Sequence, residues 1–221
     1  MPTRTARPFA ALICLAGVLS SMSGCASTSI AVKEQFGYAK REQLVDEVKD
    51  ARDEQEQAKE QFATTLEEFK SLTGFDGGDL EKKYNGLNRQ LRRSKSQADD
   101  VRGKIKSVER IATAMFREWE QELAEYQSDT LRAASAEQLQ ITRSRYNQLL
   151  DAMKSAEARM DPVLAAFNDQ VLFLKHNLNA RAIASLESTV TELEDEIARL
   201  IDEMNVSIDE ANAFIEGMSG V

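Results

Sequence analysis

A continuous heptad repeat runs through residues 80–119, LEKKYNGLNRQLRRSKSQADDVRGKIKSVERIATAMFREW. Apolar or small residues alternate there at steps of four and three, which is typical of helices that pack as coiled coils. The repeat positions are Leu80, Tyr84, Leu87, Leu91, Ser94, Ala98, Val101, Ile105, Val108, Ala112, Met115 and Trp119. Because the 221-residue chain holds only 3 prolines and none lies in this stretch, the repeat predicts one long helix.

Three further blocks of the chain carry the same spacing. The first contains Leu44, Val48, Ala51, Gln55, Ala58, Phe62, Leu66, Phe69 and Leu72. The second contains Leu139, Thr142, Tyr146, Leu149, Met153, Ala156, Met160, Val163 and Phe167. The third contains Ile183, Leu186, Val190, Leu193, Ile197, Leu200 and Met204. Each of the four blocks also contains an extra four-residue step, at 62 to 66, 119 to 123, 167 to 171 and 204 to 208, which relaxes a supercoil locally.

Short breaks separate the four blocks. They fall at the glycine-rich residues 73–79, at 127–130 and at 177–179. In the second break, Ser128 or Asp129 could cap the helix that follows. We therefore expect helices at about 36–73, 79–127, 130–178 and 180–218, with Pro162 producing a kink inside the third. Short connections favour antiparallel neighbours. The prediction is an all-α, elongated, up-down-up-down four-helix bundle or coiled coil over residues 36–221, with helices 2 and 3 longest.

The heptads leave the partner of each helix open. A dimer of two-helix hairpins would fill the same apolar positions as a closed monomeric bundle. Oligomerisation therefore remains an alternative at this stage.

The N-terminal residues have the features of a signal peptide. Arg4 and Arg7 precede the apolar stretch FAALICLAGVL at 9–19, which is too short to span a bilayer. Ser23 and Gly24 then lead into Cys25, and this arrangement resembles the lipobox of bacterial lipoproteins. The resemblance implies removal of residues 1–24 and attachment of diacylglycerol and palmitate at Cys25, with residues 25–35 as a lipidated tether. The alternative is ordinary secretion with cleavage near Gly24.

The residue after the lipobox cysteine bears on localisation. Ala26 stands where inner-membrane lipoproteins usually carry Asp, so the resemblance implies an outer-membrane protein that faces the periplasm of a Gram-negative cell. Cys14 would leave with the signal peptide, and Cys25 would carry lipid. We therefore expect neither a disulfide nor a thiolate site in the processed chain.

The residues offer little for catalysis. The chain contains one histidine, His176, and its Gly103–Lys104 pair lacks the upstream glycine of a phosphate-binding loop. We therefore predict no catalytic residue, no metal site and no cofactor, and a hydrolase or ATPase is the least favoured alternative.

One polar cluster is expected at the end of the bundle remote from the tether. The connection at 75–79 should meet the segment 175–181 there. The candidate recognition residues are Asp76, Asp79, His176, Asn177, Asn179 and Arg181. The competing interpretation is that these residues only cap helices and close turns.

Charge is distributed unevenly among the blocks. Residues 81–117 carry a net charge of +7 and residues 186–216 a net charge of −9, within a chain of net −9. Register-setting between helices together with a solvated face explains this pattern. The alternatives are that the basic face of helix 2 binds anionic lipid, as in a membrane-shaping bundle, or that the acidic fourth helix repels anionic headgroups or docks a basic partner.

Three segments are similar to a family of uncharacterised bacterial lipoproteins, a domain of unknown function. They are REQLVDEVKDARDEQEQAKEQF from Arg41, FDGGDLEKKYNGLN from Phe75 and MDPVLAAFNDQVLFLKHNLNARAIASL from Met160. The resemblance implies a heptad-rich helical fold and brings no activity. Similar chains sometimes carry automatic names such as DNA repair ATPase, which the missing nucleotide loop and the pI of about 4.9 do not support.

The resulting hypothesis is a non-enzymatic, lipid-anchored periplasmic lipoprotein that acts as an interaction or envelope-structural module. We expect it to contact the membrane through its N-terminal lipid and to bind an envelope protein. No nucleic acid is expected among its partners.

Overall fold

The computed structural model describes residues 40–73, 80–177 and 180–219. This part of the chain forms four helices, α1 (Lys40–Thr73), α2 (Leu80–Glu122), α3 (Asp129–His176) and α4 (Ala180–Ser219). They contain 34, 43, 48 and 40 residues, so α2 and α3 are the longest, as the sequence predicts. The signal peptide, Cys25 and the tether lie outside the described residues.

The helices form a closed antiparallel bundle. Each helix packs against the next one in the chain, and α4 packs against α1. This order places α2 and α4 at opposite corners, so their outer faces point away from each other. The predicted all-α, up-down-up-down bundle is confirmed.

The core of the bundle consists largely of the predicted heptad residues. Leu44, Phe62, Leu87, Leu149 and Leu200, which come from all four helices, are fully buried. The core is well filled by aromatic rings at one level, where Phe69 and Phe167 meet edge to face with ring centroids 6.3 Å apart. One chain therefore buries its own apolar seams, which favours the closed bundle over a dimer of hairpins.

Two of the four extra steps predicted in the heptads are wrong. Thr65 is fully buried and Leu66 only partly, so the repeat in α1 passes through 62, 65 and 69 without an insertion. In α4, Ser207 is buried and Ile208 is not, so the repeat passes through 204, 207 and 211. Helix geometry places these positions on the seam whatever their polarity, because alternating steps of four and three stay on one face, whereas two successive steps of four drift away from it.

The connection between α2 and α3 is longer than expected, because α2 ends earlier. The sequence suggested a helix to residue 127, whereas α2 ends at Glu122 and a turn follows in which the amide of Glu125 donates to the carbonyl of Glu122 at 2.9 Å. Ser128 caps α3, and its Oγ accepts from the amide of Leu131 at 3.4 Å. Of the two caps considered from the sequence, Ser128 is the one the structure uses.

Pro162 lies inside α3, and the helix continues on both sides of it. Next to the proline, Arg102 of α2 forms ion pairs with Glu157 at 3.7 Å and with Asp161. Since proline lacks an amide hydrogen and weakens the helix locally, these pairs to the adjacent helix fix α3 where its own hydrogen bonding is incomplete.

Candidate functional site

The described part of the predicted recognition tip performs helix capping. The amide of Asn177 donates to the carbonyl of Leu174 at 3.1 Å, and its Nδ2 donates to the carbonyl of Phe173 at 2.9 Å. His176 is the last residue of α3 and is exposed. Asp76, Asp79 and Asn179 lie outside the described residues, and of Arg181 only its place in α4 is described. The recognition tip therefore stays a prediction.

The opposite end of the bundle contains a cavity of about 330 Å³. It lies where α1 begins and α4 ends, beside the last turns of α2 and the third and fourth turns of α3. Apolar residues of its wall include Met115 and Met218, which are buried, and Trp119, which is half-buried. The full lining is Lys40, Arg41, Met115, Glu118, Trp119, Glu122, Gln138, Thr142, Gly217 and Met218.

Polar side chains hold the rim of this cavity in place. Lys40 Nζ pairs with Glu118 Oε1 at 2.8 Å, which joins the start of α1 to the end of α2. The Arg41 guanidinium donates to the carbonyl of Met218 and so joins α1 to the end of α4. Trp119 Nε1 donates to Ser135 Oγ at 2.9 Å across the α2–α3 hairpin. An apolar wall with polar groups at the mouth can accommodate an apolar group of a ligand.

The sequence places Met115, Trp119 and Thr142 of this wall at heptad positions, but it predicts no cavity beside them. Trp119 is a heptad residue, and the structure gives it a partly buried position in the wall. Lys40 begins the first helix and Met218 lies near the end of the last helix. They come together only because α4 packs against α1. Their clustering leaves no signal in local spacing.

The charged residues of α2 divide into three groups. Those facing α1 include Lys104, which pairs with Asp50 at 2.7 Å and with Glu47 at 3.5 Å. Those facing α3 include Arg102 and Lys95, whose Nζ donates to Asn168 at 2.8 Å. A third group faces solvent and forms no ion pair within the described part of the chain: Arg89, Arg92, Arg93, Lys106 and Arg117. The neighbouring helices therefore cover only part of the basic charge.

Interhelical pairs change the acidity of their lysines. The hydrogen bond to Asp50 raises the pKa of Lys104, and burial partly opposes this increase. The hydrogen bond to Glu109 of α2 raises the pKa of Lys154 in the same way. Both shifts favour the charged lysine, as expected for ammonium groups beside carboxylates.

The described helices lack two specialised features, a metal site and a membrane span. Among residues 40–73, 80–177 and 180–219, no group of three or more His, Cys, Asp or Glu side chains is arranged to hold a metal ion. None of the helices in these ranges contains an apolar stretch sufficient to cross a lipid bilayer.

Comparison with known families places the chain. The family model described as protein of unknown function (DUF2959) matches residues 30–218, which include all of the described bundle except its last residue, Ser219. The chain belongs to DUF2959. No curated protein matches it, and no solved structure does.

Membership in DUF2959 confirms the resemblance to an uncharacterised family. The match extends from residue 30 through the helical body, so the family domain includes ten residues that precede α1. The described part of this DUF2959 chain is a four-helix bundle. The family match indicates no enzymatic family. The family description supplies no substrate or site residue to compare with the cavity described above.

Proposed function

We propose that this DUF2959 protein is a non-enzymatic lipoprotein of the bacterial envelope, anchored to the outer membrane through lipid on Cys25 and facing the periplasm. The observation that carries the proposal is the sequence Met22–Ser23–Gly24–Cys25, placed after a short apolar stretch and 15 residues before α1. A cysteine in that position would receive acyl chains. Two or three such chains hold a protein firmly on a membrane, whereas one holds it only marginally.

The bundle supports an interaction or structural role for the anchored protein. Interhelical ion pairs and heptad packing run along its whole length, from Lys40–Glu118 at one end to Lys70–Glu194 near the other. At about 1.5 Å per residue, the 48 residues of α3 extend over roughly 70 Å. A rod of this length, tethered at one end, would present partner-binding surfaces well away from the membrane.

Metabolic labelling tests the anchor. Cells that express the chain receive radiolabelled palmitate, and the immunoprecipitated protein is examined for label. We expect label on the native chain and none on a Cys25→Ser variant, with Cys14→Ser as the matched control that keeps its label. Absence of label from the native chain would refute the lipoprotein proposal.

Density-gradient fractionation tests the membrane assignment. The native protein should sediment with the outer membrane, and an Ala26→Asp variant should shift toward the inner membrane. An Ala26→Ser variant is the control and should remain with the native protein. Recovery of the native chain in the inner-membrane fractions would contradict the outer-membrane assignment.

Crosslinking in cells tests the interaction role. Mass spectrometry of the crosslinked products should recover envelope proteins. Recovery of cytoplasmic DNA-repair proteins in their place would overturn the proposal and favour the automatic ATPase name.

A second candidate function is direct binding of anionic lipid by the bundle. It is favoured by the exposed bases on α2, among them Arg89, Arg92 and Arg117. Liposome sedimentation of a Cys25→Ser chain checks this candidate. Binding to anionic vesicles at low salt supports it, and failure to sediment with them eliminates it.

A further inference from the structure

Two opposite faces of the bundle carry opposite charge. On the outer face of α4, acidic residues recur at intervals of seven, and all are exposed: Asp195, Asp202, Asp209 and Glu216. On the outer face of α2, Arg89, Arg92, Lys106 and Arg117 are exposed. We call these sets the acidic stripe and the basic stripe. Within the part of the chain that the structure describes, no member of either stripe forms an ion pair.

The register of the helices places the two stripes at the same level along the bundle. Lys40 pairs with Glu118 at 2.8 Å and Thr65 with Ser94 at 2.8 Å, which relates α1 to α2. Contacts of Arg52 with Asn212 at 3.0 Å and of Lys59 with Asn205 at 3.1 Å relate α1 to α4.

Through α1, these contacts bring Arg89 to the height of Asp195. They bring Lys106 to within about one turn of Asp209. Because α2 and α4 both run antiparallel to α1, they run parallel to each other. The two stripes can therefore face each other without inversion of either copy.

We propose that the acidic stripe of one copy docks on the basic stripe of a second copy, so that bundles associate side by side with the same orientation. The partner surface is thus a second copy of this chain. The stripes occupy opposite corners of the bundle, so the contact is heterologous: it joins two different surfaces. A row of copies therefore has a free acidic stripe at one end and a free basic stripe at the other, and further copies can add at both ends.

Some groups oppose this contact, and their positions limit its strength. Asp99 and Asp100 are exposed on the basic face. Arg102 pairs with Asp99 at 2.9 Å, but it also pairs with Glu157 and Asp161, so both acids oppose docking of the acidic stripe. Arg199 is exposed near the acidic stripe, at the height of Arg93. Exposed ion pairs are individually weak and screened by salt. Association should therefore be weak for free copies and become substantial only when copies are held together.

A membrane tether supplies that condition. Chains tethered at their N-termini would stand at equal height and in one orientation, as the stripes require, and tethering raises the effective concentration of one copy near another. This step rests on the proposed lipid anchor, whereas the pairing of stripes does not. The experiment below uses an artificial tether, so that its failure is distinct from a failure of lipidation.

The experiment measures energy transfer between donor-labelled and acceptor-labelled copies on vesicles. The chain from Ala26 onward, which includes the entire self-contained core, carries an N-terminal histidine tag and binds neutral phosphatidylcholine vesicles doped with nickel-chelating lipid. At equal surface density, we expect transfer above the random level at 50 mM salt and at least a threefold decrease of that excess at 500 mM salt.

Charge reversal identifies the stripes. The first variant, called the α4 reversal, combines Asp195→Lys, Asp202→Lys and Asp209→Lys. It should abolish the excess transfer. The matched control changes the same number of exposed acids on α3, Glu137→Lys with Asp151→Lys and Asp169→Lys, and should retain it. A third variant adds Arg89→Glu, Arg92→Glu and Lys106→Glu to the α4 reversal. Both of its stripes are inverted in charge but still complementary, so its copies should associate again.

Circular-dichroism melting establishes that each variant is folded. The proposal is overturned if the native chain shows no excess transfer, if the α4 reversal leaves the transfer unchanged, or if the α3 control loses it equally. Excess transfer that appears only when anionic lipid is added would also overturn it and favour lipid binding by the basic stripe.

Discussion

Polar side chains occupy heptad positions inside the bundle. Thr65 and Ser94 form a buried hydroxyl pair at 2.8 Å, and the Thr65 hydroxyl also reaches the carbonyl of Gln61 at 2.9 Å. On the α1–α4 side, Ser207 Oγ donates to Gln55 Oε1 at 2.8 Å, and the Gln55 Nε2 is buried without a partner among the described residues. Such groups stabilise little on balance and mainly restrict which register the helices adopt.

The Gln55–Ser207 pair gives a prediction at the scale of single residues. Ser207→Ala should lower the free energy of unfolding by about 1–2 kcal/mol, because it leaves the Gln55 carbonyl oxygen buried without a donor. The double variant Gln55→Leu with Ser207→Ala should be as stable as the native chain or more stable, since it removes the buried polar atoms of both side chains. Urea denaturation of both variants measures the difference. A double variant less stable than Ser207→Ala alone would contradict this account.

Helices α1 and α4 follow the heptad more strictly than their apolar residues suggest. The sequence predicted the four helices and most of their buried faces, because long repeats without proline leave few alternatives. It placed Leu66 and Ile208 on the seam, where the structure has Thr65 and Ser207. Local hydrophobicity favoured the wrong neighbour in both helices, because the alternation of four- and three-residue steps selects the polar residue, which then pairs with a polar side chain of another helix.

The ion pairs of Arg102, which join α2 to α3, give a prediction at the scale of single helices. The Arg102 side chain is 22% exposed and pairs with Asp99, Glu157 and Asp161 beside Pro162. Arg102→Gln should lower the free energy of unfolding by about 1 kcal/mol, and the loss should shrink in high salt. Arg92→Gln, an exposed arginine of the same helix, is the control and should change stability by less than half as much. Equal losses of stability for the two variants in urea denaturation would show that the ion pairs of Arg102 do not stabilise the α2–α3 contact.

At the scale of the whole molecule, the protonation of buried and paired groups couples pH to folding. Burial, and secondarily the charge of Glu109, raises the pKa of Tyr146 from 10.0 to about 12. Because the unfolded chain releases this proton first, the folded state loses stability as pH rises from 10 to 12. The raised pKa values of Lys104 and Lys154 act in the same direction above pH 10.5, where the unfolded lysines lose their protons first.

Alkaline unfolding should therefore be less steep in a Tyr146→Phe variant. A raised pKa of this size corresponds to at most about 2–3 kcal/mol, which the variant would no longer lose between pH 10 and 12. Thermal melting at pH 8 and at pH 11 measures the difference, and the variant should lose less stability between the two values than the native chain. An identical loss in both chains would exclude Tyr146 as a source of the alkaline sensitivity.

The closed ring also explains why the cavity could not be predicted. Lys40 and Gly217 line the same cavity although they lie at opposite ends of the bundle sequence, and their proximity requires α4 to return beside α1. Heptad patterns indicate which face of a helix is buried, but they do not indicate which helix covers it. The charged stripes were visible in the sequence as net charge, and only the order of the helices places them on opposite corners.

Closure within one chain leads to a prediction about size in solution. Phe62, Leu149, Met160 and Leu200 are fully buried by contacts within the same chain, so no apolar seam along these helices requires a second copy. Small-angle scattering of the chain from Ala26 onward in 500 mM salt should give a monomeric mass and a maximum dimension of at least about 70 Å, the length of α3. Salt suppresses pairing between charged stripes, whereas it strengthens or preserves apolar packing. A dimeric mass that persists at high salt and at low protein concentration would therefore mean that helices are exchanged between chains, and it would contradict the closed bundle.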